Sequence, residues 1–219
     1  MIRLFPVRIL WPLLAASWLA WSPAGAGQRA DFLLQVPSAE ARHVADWVLA
    51  SHDHAARPFV VVDKVHFRVF VFDGGGALRG SAPALVGLAR GDDSVPGIGE
   101  RAMSAIRPEE RTTPAGRFVG SLERRLHGDE ILWVDYDTGV ALHPVSVAVV
   151  KERRLERLAS LSAADHRITY GCINVPAKFF TDVVAPLFRG GSGVIYVLPE
   201  TRTARETFGS YDSPPDTPR

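Results

Sequence analysis

The sequence predicts a mainly β domain with peripheral helices, and three features carry that expectation. From Phe59 the hydrophobic period is two: Phe59-Val60-Val61-Val62 is a continuous apolar strand, and Val65, Phe67, Val69 and Val71 then alternate with His66, Arg68, Phe70 and Phe72. Asp73-Gly74-Gly75-Gly76 supplies the positive-φ residues of a hairpin turn, and a return strand through Leu78 to about Leu88 makes the opening an antiparallel meander. Further β runs recur from Phe118 to Leu122, from Ile131 to Asp135, from Val140 to His143 and from Val194 to Leu198. Helical spacing is confined to stretches between and around them.

The first of those stretches follows Ser38, which can cap a helix to about Ala50 with Ala41, Val44, Ala45, Val48 and Leu49 on one face and Glu40, Arg42 and Asp46 off it. Lys151 to Leu161 is a second, with Leu155, Leu158 and Leu161 facing one side. Pro176 suits the first turn of a third, where Phe179, Phe180, Val183, Val184 and Leu187 repeat helically before Gly190-Gly191-Ser192-Gly193 ends it. His52 and His54 follow the first helix as ordinary polar residues rather than as a metal pair, and His66, within a strand and without an acidic neighbour, reads as structural.

The ends lie outside this pattern. Arg3 and Arg8 precede an apolar run from Ile9 to Trp21, and Ala24-Gly25-Ala26 offers the small residues a signal peptidase reads. The run is shorter than the roughly 20 apolar residues of a membrane span, so cleavage after Ala26 and export to the periplasm or cell envelope are expected. The expected layout is 1–26 leader, 27–57 N-terminal helical segment, 58–200 main domain and 201–219 disordered tail, the last from its run of prolines and polar residues.

Composition narrows the function. Losing Arg3 and Arg8 from 25 Lys and Arg leaves the chain near neutral against 24 Asp and Glu, with no basic stripe to follow a phosphate backbone. Nucleic acid is therefore not an expected partner. The chain has a single cysteine, so an exported form has no internal disulfide, and thiolate zinc sites and resolving-cysteine redox chemistry lack their second thiol. No metal or cofactor is expected.

That cysteine stands in Arg167-Ile168-Thr169-Tyr170-Gly171-Cys172-Ile173-Asn174-Val175-Pro176, after an apolar strand that ends at His143-Pro144. A thiol needs a shift toward thiolate to react at neutral pH, and imidazole is its commonest partner. A place just before the Pro176 helix would add the positive end of the helix dipole. Gly171-Cys172-Ile173-Asn174, with Thr169 before it and a histidine on the preceding strand, resembles the active-site signature of L,D-transpeptidases, the YkuD-like catalytic domain. Thr112-Thr113-Pro114-Ala115-Gly116-Arg117-Phe118 is similar to the turn that precedes a central strand in the same family.

The resemblance implies the YkuD-like fold of mostly antiparallel β sheets over about 58–199. It implies Cys172 as nucleophile, His143 as base, the Pro144 carbonyl as orienter of the ring, and an oxyanion hole of N–H groups around Gly171 and Cys172. Tyr170 occupies a position that is histidine in many members, and Asn174 is expected to fix the loop. His166, six residues before Cys172, is the rival base, set behind His143 because a strand end holds a ring more rigidly than a loop. The implied reaction is acyl transfer through a thioester on peptidoglycan stem tetrapeptides with release of D-alanine. With water as acceptor the same site is an L,D-carboxypeptidase; a silent wall-binding module is the alternative of another class, favoured by Tyr170. Stem carboxylates call for basic groups, and Arg111, Arg117 and Arg167 are nearest in sequence. The segment 90–111, turn-rich and charged, is either a lid carrying Arg107 or Arg111 to the substrate or a surface loop tied by its own Arg and Glu side chains.

Overall fold

A computed structural model describes residues 29–125 and 128–213. The leader and its cleavage point lie outside the described residues, as do the last six residues of the tail. Ser38 opens helix α1 (Ala39–Ser51) by accepting the Ala41 N–H at 3.0 Å, and His52 closes it in the left-handed conformation. Ala41, Val44, Ala45, Val48 and Leu49 are buried. Asp46, expected on the outer face, is buried too, because its carboxylate accepts the Ala30 N–H at 2.8 Å.

The β meander follows as β1 (Phe59–Asp63), β2 (Arg68–Phe72) and β3 (Leu78–Pro83). The strand expected to continue from Val65 is broken by a turn at 64–67. Its cause is Asp63, whose carboxylate accepts the N–H groups of Val65 and His66 at 3.1 and 2.9 Å, while Phe67 takes φ 54°. His66 therefore lies in the turn, not in a strand, and it has an acidic neighbour: its ring stands 3.0 Å from the Asp63 carboxylate. The return strand also stops short. After Pro83 the chain leaves β2, and β4 (Val86–Gly87) pairs elsewhere.

Three 3₁₀ turns lead to β5 (Gly116–Arg124), β6 (Glu130–Asp135) and β7 (Val140–Pro144). The excursion after β7 holds two 3₁₀ turns with the short helix α2 (Arg154–Ala159) between them, then β8 (Arg167–Thr169) and β9 (Ile173–Val175). In that excursion only Leu158 of the expected leucine face is buried; Leu155 and Leu161 are exposed. A helical run then passes from α3 (Ala177–Phe179) through a π-helical turn to α4 (Ala185–Phe188), and β10 (Ser192–Val197) and α5 (Ala204–Phe208) complete the fold. The tail expected to be disordered from Thr201 is thus ordered to its last described residues. Thr203 and Glu206 form a capping box, and Ala204 and Ser210 are buried.

One eight-stranded sheet runs β3-β2-β1-β10-β5-β6-β7-β9, beside a small β4-β8 pair. Its pairings are antiparallel except β1 with β10 and β7 with β9. Leu85, just past β3, exchanges backbone hydrogen bonds of 2.8 and 2.9 Å with Asn174 on β9, so the two ends of the sheet meet. β1 shows why the apolar run at Phe59 lacks alternation. Val60 and Val62 join a core under the α3–α4 run, while Phe59 and Val61 join an aromatic core under α1 with Trp47, Phe70, Phe72 and Tyr196.

Candidate active site

The parallel register of β7 and β9 sets the site. Leu142 lies opposite Ile173, His143 opposite Asn174 and Pro144 opposite Val175. Cys172 immediately precedes β9 and so falls beside the start of β7, where its Sγ donates toward the Gly139 carbonyl at 3.7 Å. β9 and Pro176 stand between the thiol and α3, so the expected help from a helix N-terminus is absent: that field fades within the first turn.

Two threonine hydroxyls hold the cysteine loop. Thr169 donates to the Cys172 carbonyl at 2.6 Å and accepts the Gly171 N–H at 3.1 Å. Thr113, buried, donates to the Gly171 carbonyl at 2.7 Å and accepts the Gly87 N–H at 2.8 Å. The Thr-Pro turn therefore clamps the loop to β4. Only glycine fits at 171, where φ is 135° and a Cβ would stand 2.8 Å from the Thr112 oxygen. Because Thr169 takes the Gly171 N–H, that group is not a free oxyanion donor as expected; of the pair, only the Cys172 N–H remains a candidate.

His143 Nδ1 lies 2.8 Å from the Pro144 carbonyl, the orienter the sequence suggested. Its Nε2 lies 3.0 Å from Nδ2 of Asn174, whose Oδ1 accepts Arg154 Nη1 at 2.6 Å. These contacts specify the tautomer. A guanidinium only donates, so Asn174 must turn its oxygen to Arg154 and its N–H to the ring. A carbonyl only accepts, so the ring proton is on Nδ1 and Nε2 carries a lone pair. Asn174 itself is fully buried.

The electrostatics keep both groups neutral. Burial pushes the His143 pKa down; the Pro144 bond opposes this, and the charges of Arg125 and Arg154 reinforce it. Burial pushes the Cys172 thiol up, against a backbone bond from Ala141 and the same two arginines. The resting pair is thus thiol and neutral imidazole. A cavity of about 650 Å³ opens beside His143, lined in part by Arg124, Arg125, Pro144, Val145 and Phe180. A neutral imidazole beside such a cavity has the protonation state of a general base.

The other candidates separate. The Arg111 guanidinium stacks on the Tyr170 ring at 3.8 Å and donates to the Ile106 carbonyl at 3.1 Å, next to the cysteine loop. Arg117, expected near substrate, bonds Asp53 at 2.5 Å across the α1 side of the sheet. Arg167 is largely buried, 2.5 Å from Glu200 and bonded to the Gly87 and Ala89 carbonyls. Neither is placed to bind substrate. His166 stacks on Phe67 and directs its two ring nitrogens at the Ala84 and Ser160 carbonyls, which removes it as rival base.

In the 90–111 segment, Arg101 and Arg107 both clamp Glu110, at 2.9 and 3.2 Å, so Arg107 is held by its own loop rather than offered to a ligand. His54 is buried between the Val48 and Gly74 carbonyls, both at 3.3 Å. Among the described residues no group of three His, Cys, Asp or Glu side chains is disposed to hold a metal ion, and no helix is long and apolar enough to cross a membrane.

Arg154 and Arg125 are the site residues sequence reasoning missed. Arg154 sits in a charged stretch, Lys151-Glu152-Arg153-Arg154, that carries no local sign of which arginine turns inward.

No protein-family model and no curated protein matches the sequence. Matches are found among solved structures. They include the helical cell shape determining protein Pgp2 from Campylobacter jejuni, at 16% identity over 67% of this chain and 49% of that one, with a TM-score of 0.43. An L,D-transpeptidase from Mycobacterium smegmatis matches at 17% identity over 64% of this chain and 58% of its own, with a TM-score of 0.39. The catalytic domain of an E. faecium L,D-transpeptidase matches at 17% identity over 65% of this chain and 98% of its own, with a TM-score of 0.34. The chain thus spans about half the length of the Campylobacter protein.

Proposed function

We propose that this protein is an exported peptidoglycan L,D-transpeptidase with Cys172 as nucleophile and His143 as base. The observation that supports it best is that the parallel register of β7 and β9 brings the chain's single cysteine, just before β9, to the strand that carries His143, a histidine held by the Pro144 carbonyl in the Nδ1–H tautomer. In this reading a stem tetrapeptide enters the cavity beside His143. Nε2 takes the thiol proton as sulfur attacks the carbonyl of the third residue, and the Cys172 N–H faces the developing oxyanion. The terminal D-alanine leaves as an amine carrying the proton from Nε2, and a thioester remains. An acceptor amine then attacks the thioester, loses its proton to Nε2 and releases Cys172 as thiol; a cell-wall stem supplies that amine, and water in its place gives the L,D-carboxypeptidase outcome.

The test is incubation with a disaccharide tetrapeptide, with and without an amine acceptor, followed by intact-mass and product analysis. A thioester on Cys172 with release of D-alanine is expected, and an amide product when the amine is present. A silent wall-binding module is the second reading, favoured by one observation: burial raises the thiol, and its contact is the Gly139 carbonyl rather than the imidazole. Binding of the muropeptide with no adduct, even from a carbapenem, would establish that module instead.

A further inference from the structure

Five side-chain and backbone groups run in one line from the surface to the base. Glu152 Oε2 accepts Arg154 Nε at 2.6 Å, Arg154 Nη1 donates to Asn174 Oδ1 at 2.6 Å, Asn174 Nδ2 meets His143 Nε2 at 3.0 Å, and His143 Nδ1 meets the Pro144 carbonyl at 2.8 Å. Only the link between Asn174 and His143 is ambiguous alone. Asparagine can flip its amide, and neutral imidazole can carry its proton on either nitrogen. The groups on either side of that link have no choice: Arg154 has donors only, and the Pro144 carbonyl only accepts. The Arg154 side chain is 15% exposed and held by Glu152, so it cannot easily swing away. Removing Arg154 lets the Asn174 oxygen turn to the ring, where it would compete with the Pro144 carbonyl and draw the proton onto Nε2, leaving no lone pair there.

We propose that Arg154 is a positioning residue that, acting through Asn174, works with the Pro144 carbonyl to keep the proton of His143 on Nδ1. The excursion between β7 and β8 thus has a use: it supplies the donor that orients the base from behind β9. Two alternatives elsewhere carry less. The groove along Leu158, Leu161 and Phe67 is apolar, yet nothing shows what covers it. The Lys64–Asp92 cluster is sealed from solvent.

The inference rests on the proposed function only in its rate arm, so the experiment has two readouts. ¹⁵N-edited NMR of the folded protein reports which nitrogen of His143 is protonated, and iodoacetamide alkylation reports the reactivity of Cys172. In the parent protein Nδ1 should show the protonated signature and Nε2 the lone-pair signature. In Arg154→Met a substantial share of His143 should move to the Nε2–H form and alkylation should slow by about tenfold, while Arg154→Lys, which keeps a donor, should recover most of both. If Arg154→Met does not fold, the Lys variant and Asn174→Asp decide: an acceptor-only side chain at 174 must likewise place the proton on Nε2. An unchanged tautomer in folded Arg154→Met, or in Asn174→Asp, overturns the inference. A tautomer that shifts as expected in a protein that never forms an acyl-enzyme upholds it and removes the transpeptidase reading alone.

Discussion

Two buried polar networks flank the cysteine loop, and they end differently. In the first, Lys64 is fully buried and donates to the Thr113 carbonyl at 2.9 Å, the Gly91 carbonyl and the Asp92 carboxylate at 2.8 Å. Asp92 also accepts the N–H groups of Glu200 and Thr201 at 2.8 Å each, and Glu200 accepts the Gly91 N–H at 2.9 Å and Arg167 at 2.5 Å. Burial pushes the Asp92 carboxyl up, but the bonds from Lys64, Thr201 and Glu200 outweigh it and hold the group well below the usual carboxylate range. All three ammonium protons are used. The second network runs from Arg154 through Asn174 to His143, whose Nε2 accepts the Asn174 N–H and whose ring lies beside a cavity. A network sealed from solvent fixes the frame, and one that opens on a cavity leaves a titratable ring within reach of a ligand. The Thr113 element joins them: its carbonyl takes Lys64, and its hydroxyl holds Gly171.

The sharpest break of this contrast is His143→Ala. Acylation of Cys172 should fall by about 10³-fold, within the range for loss of a positioned base, while the unfolding midpoint in urea stays near that of the parent. A parallel loss of stability would show that the open network is structural after all. Next in size is Lys64→Met, which leaves Asp92 buried without its close cation while Glu200 keeps Arg167, and should cost roughly 3–5 kcal/mol of unfolding free energy. Alkylation per folded molecule should change little. Unaltered stability would mean that the cluster is not the closed frame described.

The smallest effect is on pH dependence, and it sharpens the comparison from both sides. Burial lowers His143 from 6.5 and raises Cys172 from 9.0. Alkylation should therefore rise on an acid limb below pH 6.5, hold level through neutrality, and climb again only above pH 9 as direct thiolate forms. Stability should follow with the opposite groups. His143 is harder to protonate when folded, so stability declines as pH falls below 6.5 through its lowered pKa. The Asp92 contribution, by contrast, is complete above about 3.8 and is lost only as pH falls further toward its depressed folded value. A single limb centred at the ordinary thiol value would contradict the assignment of His143 as base.

Much of the frame was legible without tertiary structure, because its signals are local. The Ser38 cap, the apolar run at Phe59, the Asp73-Gly74-Gly75-Gly76 turn and the helical spacing after Pro176 each act within a few residues. The failures of that reading have local causes too: Asp63 makes a turn where alternation suggested a strand, and the Thr203–Glu206 capping box orders a segment that composition marked as disordered. Gly171-Cys172-Ile173-Asn174 and His143-Pro144 likewise stood out as short motifs, and the structure sets them in register on β7 and β9.

What only the tertiary structure decided is which donor meets which acceptor. Arg117 and Arg167 lie near the motif in sequence but turn to Asp53 and Glu200, while Arg154, in a stretch read only as a helix, reaches Asn174. The separation of Cys172 from the α3 terminus by a strand was equally invisible. The physical reason is reach: hydrophobic period and turn chemistry are written in neighbouring residues, whereas a charge has to be satisfied by whatever the fold brings within about 3 Å of it.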